Sequence, residues 1–560
     1  VSLSQSVITT NGGHVWIGGG TQAANSWNGL TVGSGTVRNA SADANALNLT
    51  NTNITTAGGH VLMGAEAAYS HASTWINWQR GTYLIGSNIN TGTGSISLTG
   101  IVSGRQYNGG YGLDLHSTQL VSTTGAITLR GDISSTANVG YDGWQRGFAT
   151  YVHNKTLINT TSGAINIYGN STANSLYGTA IWFGTNTLDP GDGNVNNVAS
   201  VAHNHSSAIV SDSGSVLLDG RVSATRTDGW THAVVFLSRA SDRSLIKTNT
   251  GNITIKGDAN TPKADSTGLV MQIESASSGF SFLSTSGDIY LQAFQEARST
   301  ATYNNAIRFG PGASSGSIRI GAATDTSTYT GRITVEGDSI LNADAGVTGA
   351  VKAYGTNAIS FSSSSATSTK NFTLDSMWDL GTQHSSISIG KLTETKNIIL
   401  EADLFAAGPI TVYGGDITLR RDLTSTLLNA PISLIARGSI YGDTRPKTIS
   451  TNAGQNTASL PVSTATPGTY VYSLVGVKYL NDPGCPQAVS PAITATVVVK
   501  DLPTATISGN ATVCIGTPSP QITFAGNGGT QPYTFQYSIN GGAPVSVNSS
   551  SCTRLTARVR

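Results

Sequence analysis

The heptapeptide Gly125-Ala-Ile-Thr-Leu-Arg-Gly131 is the stretch of sequence that decides the fold. It has a glycine at each end and two apolar residues separated by one polar residue, which predicts a short strand with both apolar side chains on one side. Glycines at both ends favour bends where backbones approach closely. The pattern recurs along the chain, with small changes, at 94–100, 163–169, 214–220, 251–257, 287–293, 316–321 and 331–337.

Two further segments accompany the heptapeptide. Leu120-Val-Ser-Thr123 precedes Gly125 by a turn too short for a helix, and equivalents stand at 157–160, 245–248 and 282–285. Gly112-Leu-Asp-Leu115 lies further upstream and also alternates, with equivalents at 147–151, 178–181, 233–236, 268–271 and 306–309. Each unit is therefore predicted to contain three short strands in a fixed order.

The units differ in length. Their first glycines are 29 residues apart between Gly287 and Gly316 but 51 apart between Gly163 and Gly214. The extra residues are expected at one place in each unit, between the strand of the 112–115 type and the other two. A parallel β-helix tolerates such insertions because its coils stack through strands while loops project from a corner. We therefore predict a parallel β-helix over residues 1–443, with projecting loops.

The stretch 370–443 is compressed, because its strand-like segments crowd together. A solenoid needs its open ends covered, since exposed edge strands invite aggregation. We expect this stretch either to close one end of the β-helix or to lead into the next module.

The composition favours an all-β chain. Of 560 residues, 66 are glycine, and charged residues make up 11%, against about 25% in typical domains. The formal net charge of +1 provides no long-range attraction for nucleic acid, so a nucleic-acid partner is not expected. No apolar stretch reaches the roughly 18 residues of a membrane span. The chain begins at Val1 rather than Met, which suggests a processed or excised segment.

A different architecture is predicted after residue 443. Proline becomes frequent, and Tyr470-Val-Tyr-Ser-Leu474 alternates behind a Pro-Gly turn, as an antiparallel sandwich strand does. Asp501-Leu-Pro503 has the composition of a linker. All three cysteines, Cys485, Cys514 and Cys552, lie in this part, so disulfides cannot hold the coils together.

This C-terminal part carries a family resemblance. Gly484-Cys485, Val513-Cys514-Ile-Gly516 and Pro532-Tyr-Thr-Phe535 resemble motifs of the tandem immunoglobulin-like (Ig-like) repeats in very large secreted surface proteins of Bacteroidota. The upstream coils look like the β-helical parts of adhesins from the same setting, including the gliding-motility adhesins of flavobacteria. The resemblance implies a partial Ig-like β-sandwich at 444–501 and the start of a second at 502–560. It also implies type IX secretion, display at the bacterial outer cell surface, and adhesion or gliding motility rather than catalysis.

Two features depart from the pattern of these repeats. The repeats hold both cysteines in one module, whereas here Cys485 lacks its upstream partner and Cys514 its downstream partner. The chain therefore holds two half-modules, and the pairing of its cysteines stays open. From Cys552 onward the expected Ser/Thr alternation is also lost.

Aromatic residues recur in the loops that precede strands of the 112–115 type. An exposed row of flat apolar rings with polar neighbours suits the recognition of sugar rings. Packing of the rings at coil corners is the alternative interpretation. The candidate ligand-binding residues are Trp75, Trp78, Tyr141, Asp142, Trp144 and Trp230.

Two polar clusters are weaker candidates for metal binding. Asp189, Asp192 and Asn194 bring together oxygen ligands of the kind Ca²⁺ prefers, without the full spacing of a calcium loop. His203 and His205 alternate as two ligands on one strand face do, but no third ligand is evident. The alternative is that both clusters are ordinary loops without a metal. Ca²⁺ is the one cofactor that the sequence suggests.

The leading hypothesis is a non-catalytic, secreted cell-surface adhesin or filament segment. It mediates attachment or surface motility by contacting a polysaccharide or other cells, and further repeats of the same larger protein are expected beside it.

A β-helical polysaccharide lyase or glycoside hydrolase with Ig-like accessory modules is one alternative. Such enzymes gather acidic and basic residues on one coil face. Asp142, Arg146, Asp228 and Arg243 occupy comparable loops, but nothing in the sequence brings them together, so no catalytic residue is assigned. A purely structural fibre subunit is the third hypothesis.

Overall fold

The protein is described by a computed structural model. It divides into two compact units, Val1–Pro461 and Val462–Arg560. Every regular element among the described residues is a β-strand, and the strands are numbered β1–β50 in chain order. The described residues are 1–19, 22–23, 26–27, 32–34, 44–69, 79–104, 109–134, 146–172, 177–184, 207–223, 230–238, 243–261, 265–273, 278–295, 305–310, 317–324, 327–342, 348–364, 371–442, 464, 467–477, 487–528, 531–549 and 554–558.

The first unit is built from three long parallel sheets. Sheet A contains, in pairing order, β1 (Ser2–Ser4), β7 (Ala44–Thr50), β10 (Gln79–Ile85), β13 (Gly109–His116), β16 (Arg146–His153), β19 (Tyr177–Phe183), β22 (Trp230–Ser238), β25 (Asp265–Ile273), β28 (Asn305–Gly310) and β31 (Ile340–Asn342). Sheet B contains β2 (Val7–Thr9), β8 (Asn53–Thr55), β11 (Asn88–Asn90), β14 (Gln119–Ser122), β17 (Leu157–Thr160), β20 (Ala208–Ser211), β23 (Arg243–Lys247), β26 (Gly279–Leu283), β29 (Ser317–Gly321), β32 (Val351–Tyr354) and β35 (Trp378–Asp379).

Sheet C is the longest of the three. It contains β3 (Val15–Ile17), β9 (Val61–Tyr69), β12 (Ile96–Gly104), β15 (Ile127–Ser134), β18 (Ile165–Ser171), β21 (Val216–Ser223), β24 (Ile253–Asn260), β27 (Ile289–Gln295), β30 (Ile333–Gly337), β33 (Ile359–Ser362), β36 (Ile387–Ile389), β39 (Ile410–Gly414) and β42 (Ile432–Ala436). Near the first coil, β6 (Val32–Ser34) pairs with β9, and β4 (Gln22–Ala23) forms a small antiparallel pair with β5 (Ser26–Trp27).

The chain visits the sheets in the order A, B, C and then begins the next coil. Strands of the 112–115 type form sheet A, those of the 120–123 type form sheet B, and the heptapeptides form sheet C. The copy predicted at 316–321 is an exception, because it forms β29 of sheet B, and the sheet C strand that follows 287–293 is the one at 331–337. The prediction of three strands in a fixed order, stacked in parallel as in a β-helix, is confirmed.

The register aligns equivalent residues from coil to coil. Ile127 pairs with Ile96 of the previous coil and Ile165 of the next, and all three are fully buried. Apolar side chains from all three sheets form one continuous core along the stack. Burial of these rows is the main stabilising term for the coils, at about 25 cal/mol for each Å² of apolar surface removed from water.

Close approach of backbones explains both glycines of the heptapeptide. A Cβ on Gly125 would lie 2.1 Å from the carbonyl oxygen of Gly94, the equivalent glycine one coil earlier. A Cβ on Gly131 would lie 1.7 Å from the carbonyl oxygen of Ala149 in sheet A. The second glycine does not end its strand, since β15 continues to Ser134.

The expectation that extra residues enter at one place in each unit is wrong. The connection from sheet B to sheet C has four or five residues from β8 to β27, for example four between β14 and β15, and it lengthens to eleven residues at 322–332 between β29 and β30. Extra residues enter at the two other corners, as 185–206 between β19 and β20 and 135–145 between β15 and β16 show. Both of these corners border sheet A.

Residues 371–442 continue the coils in shortened form. One face holds β34 (Phe372–Leu374), β37 (Ile398–Leu400), β40 (Ile417–Leu419) and β43 (Ile440–Gly442). A second face holds the pair β38 (Leu404–Ala406) and β41 (Leu423–Ser425), while sheet C runs on through β42. Ile398 and its partner Ile417 are only 19 positions apart, because the connections are minimal. The stretch expected to close the β-helix or lead out of it is therefore itself coiled.

The second unit is antiparallel, as the alternation behind the Pro-Gly turn predicts. β44 (Gly468–Val477) pairs with β45 (Gln487–Val499), and a three-stranded sheet joins β46 (Thr504–Ser508), β47 (Gln521–Asn527) and β50 (Arg554–Arg558). A further pair consists of β48 (Thr534–Tyr537) and β49 (Val545–Asn548). The rings of Phe524 and Phe535 stack 5.8 Å apart between two of these sheets. Cys514 is free and exposed, and Cys485 and Cys552 lie outside the described residues.

Candidate functional site

Most of the residues predicted to bind a ligand or metal lie outside the described part of the chain. Trp230 is the exception, because its backbone opens β22 and pairs with Tyr177 and Asp265 in sheet A. The predicted residues outside the described ranges are Trp75, Trp78, Tyr141, Asp142, Trp144, Asp189, Asp192, Asn194, His203 and His205.

The enzyme hypothesis named four charged residues, of which the structure places two. Arg146 opens β16 in sheet A, and Arg243 opens β23 in sheet B, where it is exposed. Asp142 and Asp228 lie outside the described residues. The two placed residues thus belong to different sheets.

The structure instead brings together a group of residues on the outer side of sheet A. Strand alternation turns Leu113 and Leu115 into the core and places Asp114 between them on the opposite side. The register then sets Asp114 beside Tyr83 of the previous coil and Tyr151 of the next. The group, called here the sheet A cluster, consists of Arg80, Tyr83, Tyr111, Asp114, Tyr151 and His153.

Asp114 is the centre of the sheet A cluster. Its Oδ2 accepts a 2.7 Å bond from Nε of Arg80, and its Oδ1 lies 2.9 Å from Nε2 of His153. The guanidinium of Arg80 also lies over two rings, 4.4 Å from the centroid of Tyr83 and 5.1 Å from that of Tyr111. The side chains of Arg80, Asp114 and His153 are each at most 2% exposed.

The electrostatics favour an ionised Asp114. Burial by itself would raise the pKa of its carboxyl group, but the hydrogen bond and charge of His153 and the charge of Arg80 act more strongly in the other direction. The pKa of Asp114 therefore lies below its ordinary value of 3.8. A charged carboxylate can thus be held in the cluster because the Arg80 guanidinium and the His153 imidazole both face it.

Stacked rings extend the cluster along sheet A. The imidazole of His153 lies parallel to the ring of Tyr151, with centroids 3.7 Å apart. Phe148 contacts both Tyr111 and Trp182. Such contacts fix the ring positions in successive coils and add about 0.5–1.5 kcal/mol for each pair beyond area burial.

Sequence patterns alone do not identify this cluster. Arg80 and His153 lie 34 and 39 residues from Asp114, and connections of variable length intervene. The outward position of Asp114 in an alternating strand is the one sequence signal, because a lone charge there needs a partner in a neighbouring coil.

The cluster ties together three successive strands, β10, β13 and β16. Two of these follow directly on predicted aromatic loops, since Trp78 immediately precedes β10 and the segment with Trp144 ends just before β16. The Arg80–Asp114–His153 group therefore links the two strands that follow these segments of the sequence.

Comparisons of the chain with protein-family models, with curated proteins and with solved structures give no match. In the described part of the chain, no group of three His, Cys, Asp or Glu residues is arranged to hold a metal ion. Those same residues contain no helix that is long and apolar enough to cross a membrane.

Proposed function

We propose that the chain is a non-catalytic adhesin segment at the outer surface of a bacterial cell. Its β-helical unit presents loops that bind a polysaccharide, either on the surface to which the cell attaches or on other cells. Its second unit is the beginning of Ig-like spacer modules. The observation that carries this proposal is that the longest connections, such as 135–145 and 185–206, border one sheet, sheet A.

Stacking brings loops from different coils to a common edge. The aromatic loops lead into β10, β16 and β22 of sheet A, and each of these strands lies two strands beyond the previous one in the pairing order. Strands are about 4.8 Å apart, so the entry points of the three loops follow one another at about 10 Å along the edge. A row of rings at this spacing suits an extended glycan chain, which contacts several loops at once.

Additive contacts along one edge explain why such a protein needs no deep pocket. Each loop contributes a weak stacking contact, and several together raise the total affinity through their high effective concentration. Loop sequences can vary from coil to coil, because the core rows and corner glycines that build the coils lie elsewhere.

The test is a glycan-array and surface-adhesion measurement on the full chain. We expect a subset of polysaccharides to bind, and we expect the double variant Trp75→Ala/Trp144→Ala to lose at least about thirtyfold in affinity, since each of the two rings removed costs about 1 kcal/mol or more. Phe294→Ala is the matched control, because Phe294 is an exposed aromatic residue on sheet C and should bind as the parent chain does.

Three results contradict the proposal. Absence of binding to any glycan or cell surface, together with end-to-end polymerisation, favours a structural fibre subunit. Release of shortened or unsaturated sugars from a bound polysaccharide favours a lyase or hydrolase. Equal loss of binding in the Phe294→Ala control assigns the effect to folding rather than to the loops.

A further inference from the structure

Sheet B is interrupted in the shortened coils. Its ladder ends at β35, and the next strand on the same face, β38, pairs only with β41. The flanking faces stay continuous, since β36 pairs with β39 and β34 with β37. The interruption opens a cleft of about 430 Å³ between β35 and β38, called here the sheet B cleft. This volume falls within the range of roughly 300–1,000 Å³ that is typical of small-molecule sites.

One wall of the cleft combines aromatic and polar groups. The hydroxyl of Tyr354 donates a 2.6 Å bond to Oδ2 of Asp379, and the backbone N–H of Gly381 donates to Oδ1 of the same carboxylate at 3.1 Å. Each carboxylate oxygen can accept a further bond. Asp379 is half-buried and lines the cleft, so its orientation is fixed while acceptor capacity is left for a ligand.

Trp378 belongs to the same wall. It lines the cleft and is only 4% exposed. Its ring packs edge-on against Phe309 and Phe361 in the core, while its indole Nε1–H has no hydrogen-bond partner among the described residues. The Nε1 atom is itself buried, so Trp378 contributes to this wall by packing and not as a donor to the cleft.

The opposite wall offers an exposed ring and further charges. Phe405 on β38 is 42% exposed and turns outward between the buried Leu404 and Ala406. Asp403 accepts a bond from the backbone N–H of Asp422, and Arg421 is exposed at the rim.

The charges select among ligand classes. Three carboxylates, Asp379, Glu401 and Asp403, line the cleft against one guanidinium, that of Arg421. Glu401 is paired with Arg420, so the remaining excess is that of Asp379 and Asp403 over Arg421. An acidic ligand would be repelled by this excess of negative charge, whereas hydroxyl groups would donate to fixed carboxylates and a ring with an apolar face would stack on Phe405.

We propose that the sheet B cleft binds a neutral sugar unit of a glycan, with Phe405 as the stacking platform and Asp379 and Asp403 as hydroxyl acceptors. The site is separate from the loops beside sheet A and does not rest on the function proposed for them.

The experiment uses the full chain and a panel of hexasaccharides. The neutral probes are α- and β-linked hexamers of glucose, mannose, galactose and xylose; hexagalacturonate is the acidic probe and a chitosan hexamer the cationic one. Binding is measured by titration calorimetry and by saturation-transfer NMR. We expect at least one neutral hexamer to bind and hexagalacturonate not to bind.

Three variants assign the binding to the cleft. Phe405→Ala and Asp379→Asn should each lower the affinity for the neutral hexamer by about tenfold, which corresponds to a loss of about 1.4 kcal/mol in binding free energy. Asp403→Asn removes the charge of the second acceptor while keeping the shape of the side chain, and should weaken binding by several-fold. Tyr441→Ala, which removes an exposed aromatic residue from β43 outside the cleft, is the matched control and should bind normally.

The outcomes separate this proposal from the function of the loops. Retention of hexamer binding in Trp75→Ala/Trp144→Ala, with loss in Phe405→Ala, supports the cleft. The proposal is overturned if no neutral hexamer binds, if hexagalacturonate or the chitosan hexamer binds more tightly, or if Phe405→Ala binds as the parent chain does.

Discussion

Nε2 of His153 lies 2.9 Å from Oδ1 of Asp114, although the two residues belong to different coils and are 39 positions apart. Arg80, from the coil on the other side, binds the second oxygen of the same carboxylate. One side chain therefore connects three coils of sheet A. Removing its charge leaves the Arg80 cation buried without its counter-ion, and this dependence leads to the first prediction.

Asp114→Asn is expected to destabilise the coils around β13 by about 3–5 kcal/mol, the usual cost of breaking a buried ion pair by removing one partner. Because each coil contacts mainly its neighbours, the effect should be local. Hydrogen exchange followed by mass spectrometry should show lost protection in β10, β13 and β16, with that of β33 retained.

Asp132→Asn is the control for this prediction. Asp132 pairs at 2.7 Å with Arg130, whose side chain is 59% exposed, so solvent screens the pair. A change of about 1 kcal/mol or less is expected. Equal losses in the two variants would show that burial of the Asp114 group has no special role.

The pH dependence of stability follows from the lowered pKa of Asp114. Because the pKa is lower in the folded chain than in the unfolded chain, the ionised carboxylate stabilises the fold above the unfolded value, near 3.8. This contribution is lost as the pH falls through the folded value.

Thermal melting from pH 7 to pH 2 should therefore show a constant difference in melting temperature between the parent chain and Asp114→Asn above about pH 4. At lower pH the gap should narrow. A gap that widens toward acid would contradict the lowered pKa, and a gap that never changes would show that Asp114 does not titrate in this range.

Gly125→Ala should disrupt the corner between sheets B and C. The added Cβ would lie 2.1 Å from the carbonyl oxygen of Gly94, and relief requires that two coils move apart, at about 3 kcal/mol or more. Gly13 holds the equivalent position in the first coil, where a Cβ would meet only Thr10 at 3.5 Å.

Gly13→Ala is thus the matched control and should change stability by no more than about 0.5 kcal/mol. Circular dichroism melts of both variants would test the pair. If both substitutions were tolerated, the coils would be able to move apart enough to accommodate a Cβ, and glycine would not be required at this corner.

Thr160→Val probes the hydroxyl row beside the same corner. The buried hydroxyl of Thr160 donates a 2.6 Å bond to the carbonyl oxygen of Gly163 and lies 3.1 Å from Oγ of Ser211 in the next coil. Valine has the same shape but leaves these partners unsatisfied, so a loss of about 1–3 kcal/mol is expected.

The neighbouring Thr161 is exposed, and Thr161→Val should therefore fall within about 0.5 kcal/mol of the parent chain. Urea unfolding of both variants would check the difference. If Thr161→Val were the more damaging of the two, the corner hydroxyl would not be the stabilising group.

The order of strands within a coil could be predicted from sequence because it depends on local patterns. Alternation in Gly112–Leu115 and in the heptapeptide places apolar residues on one side, and glycine is the one residue without a Cβ to collide at the corners. The corners at which extra residues enter could not be predicted. The connections 185–206 and 135–145 join different pairs of sheets, but no local sequence pattern distinguishes them.

The candidate sites show the same division. Aromatic residues such as Trp78 and Trp144 attract attention in the sequence because they repeat before one type of strand. The Asp114 group and the sheet B cleft do not repeat, so no pattern marks them. The cleft exists because β38 does not pair with β35, which is a relation between strands and not a property of either.

The sequence by itself determined a three-stranded coil, its stacking through rows of like residues, and the change to antiparallel strands after the coils. Short-range sterics and apolar alternation suffice for these features. Only the tertiary structure decided that Arg80, Asp114 and His153 share one ion group and that Tyr354, Trp378 and Phe405 border one cleft. Contacts between coils depend on which residues of successive coils pair with each other. Because the connections differ in length, this pairing cannot be read from spacing in the linear sequence.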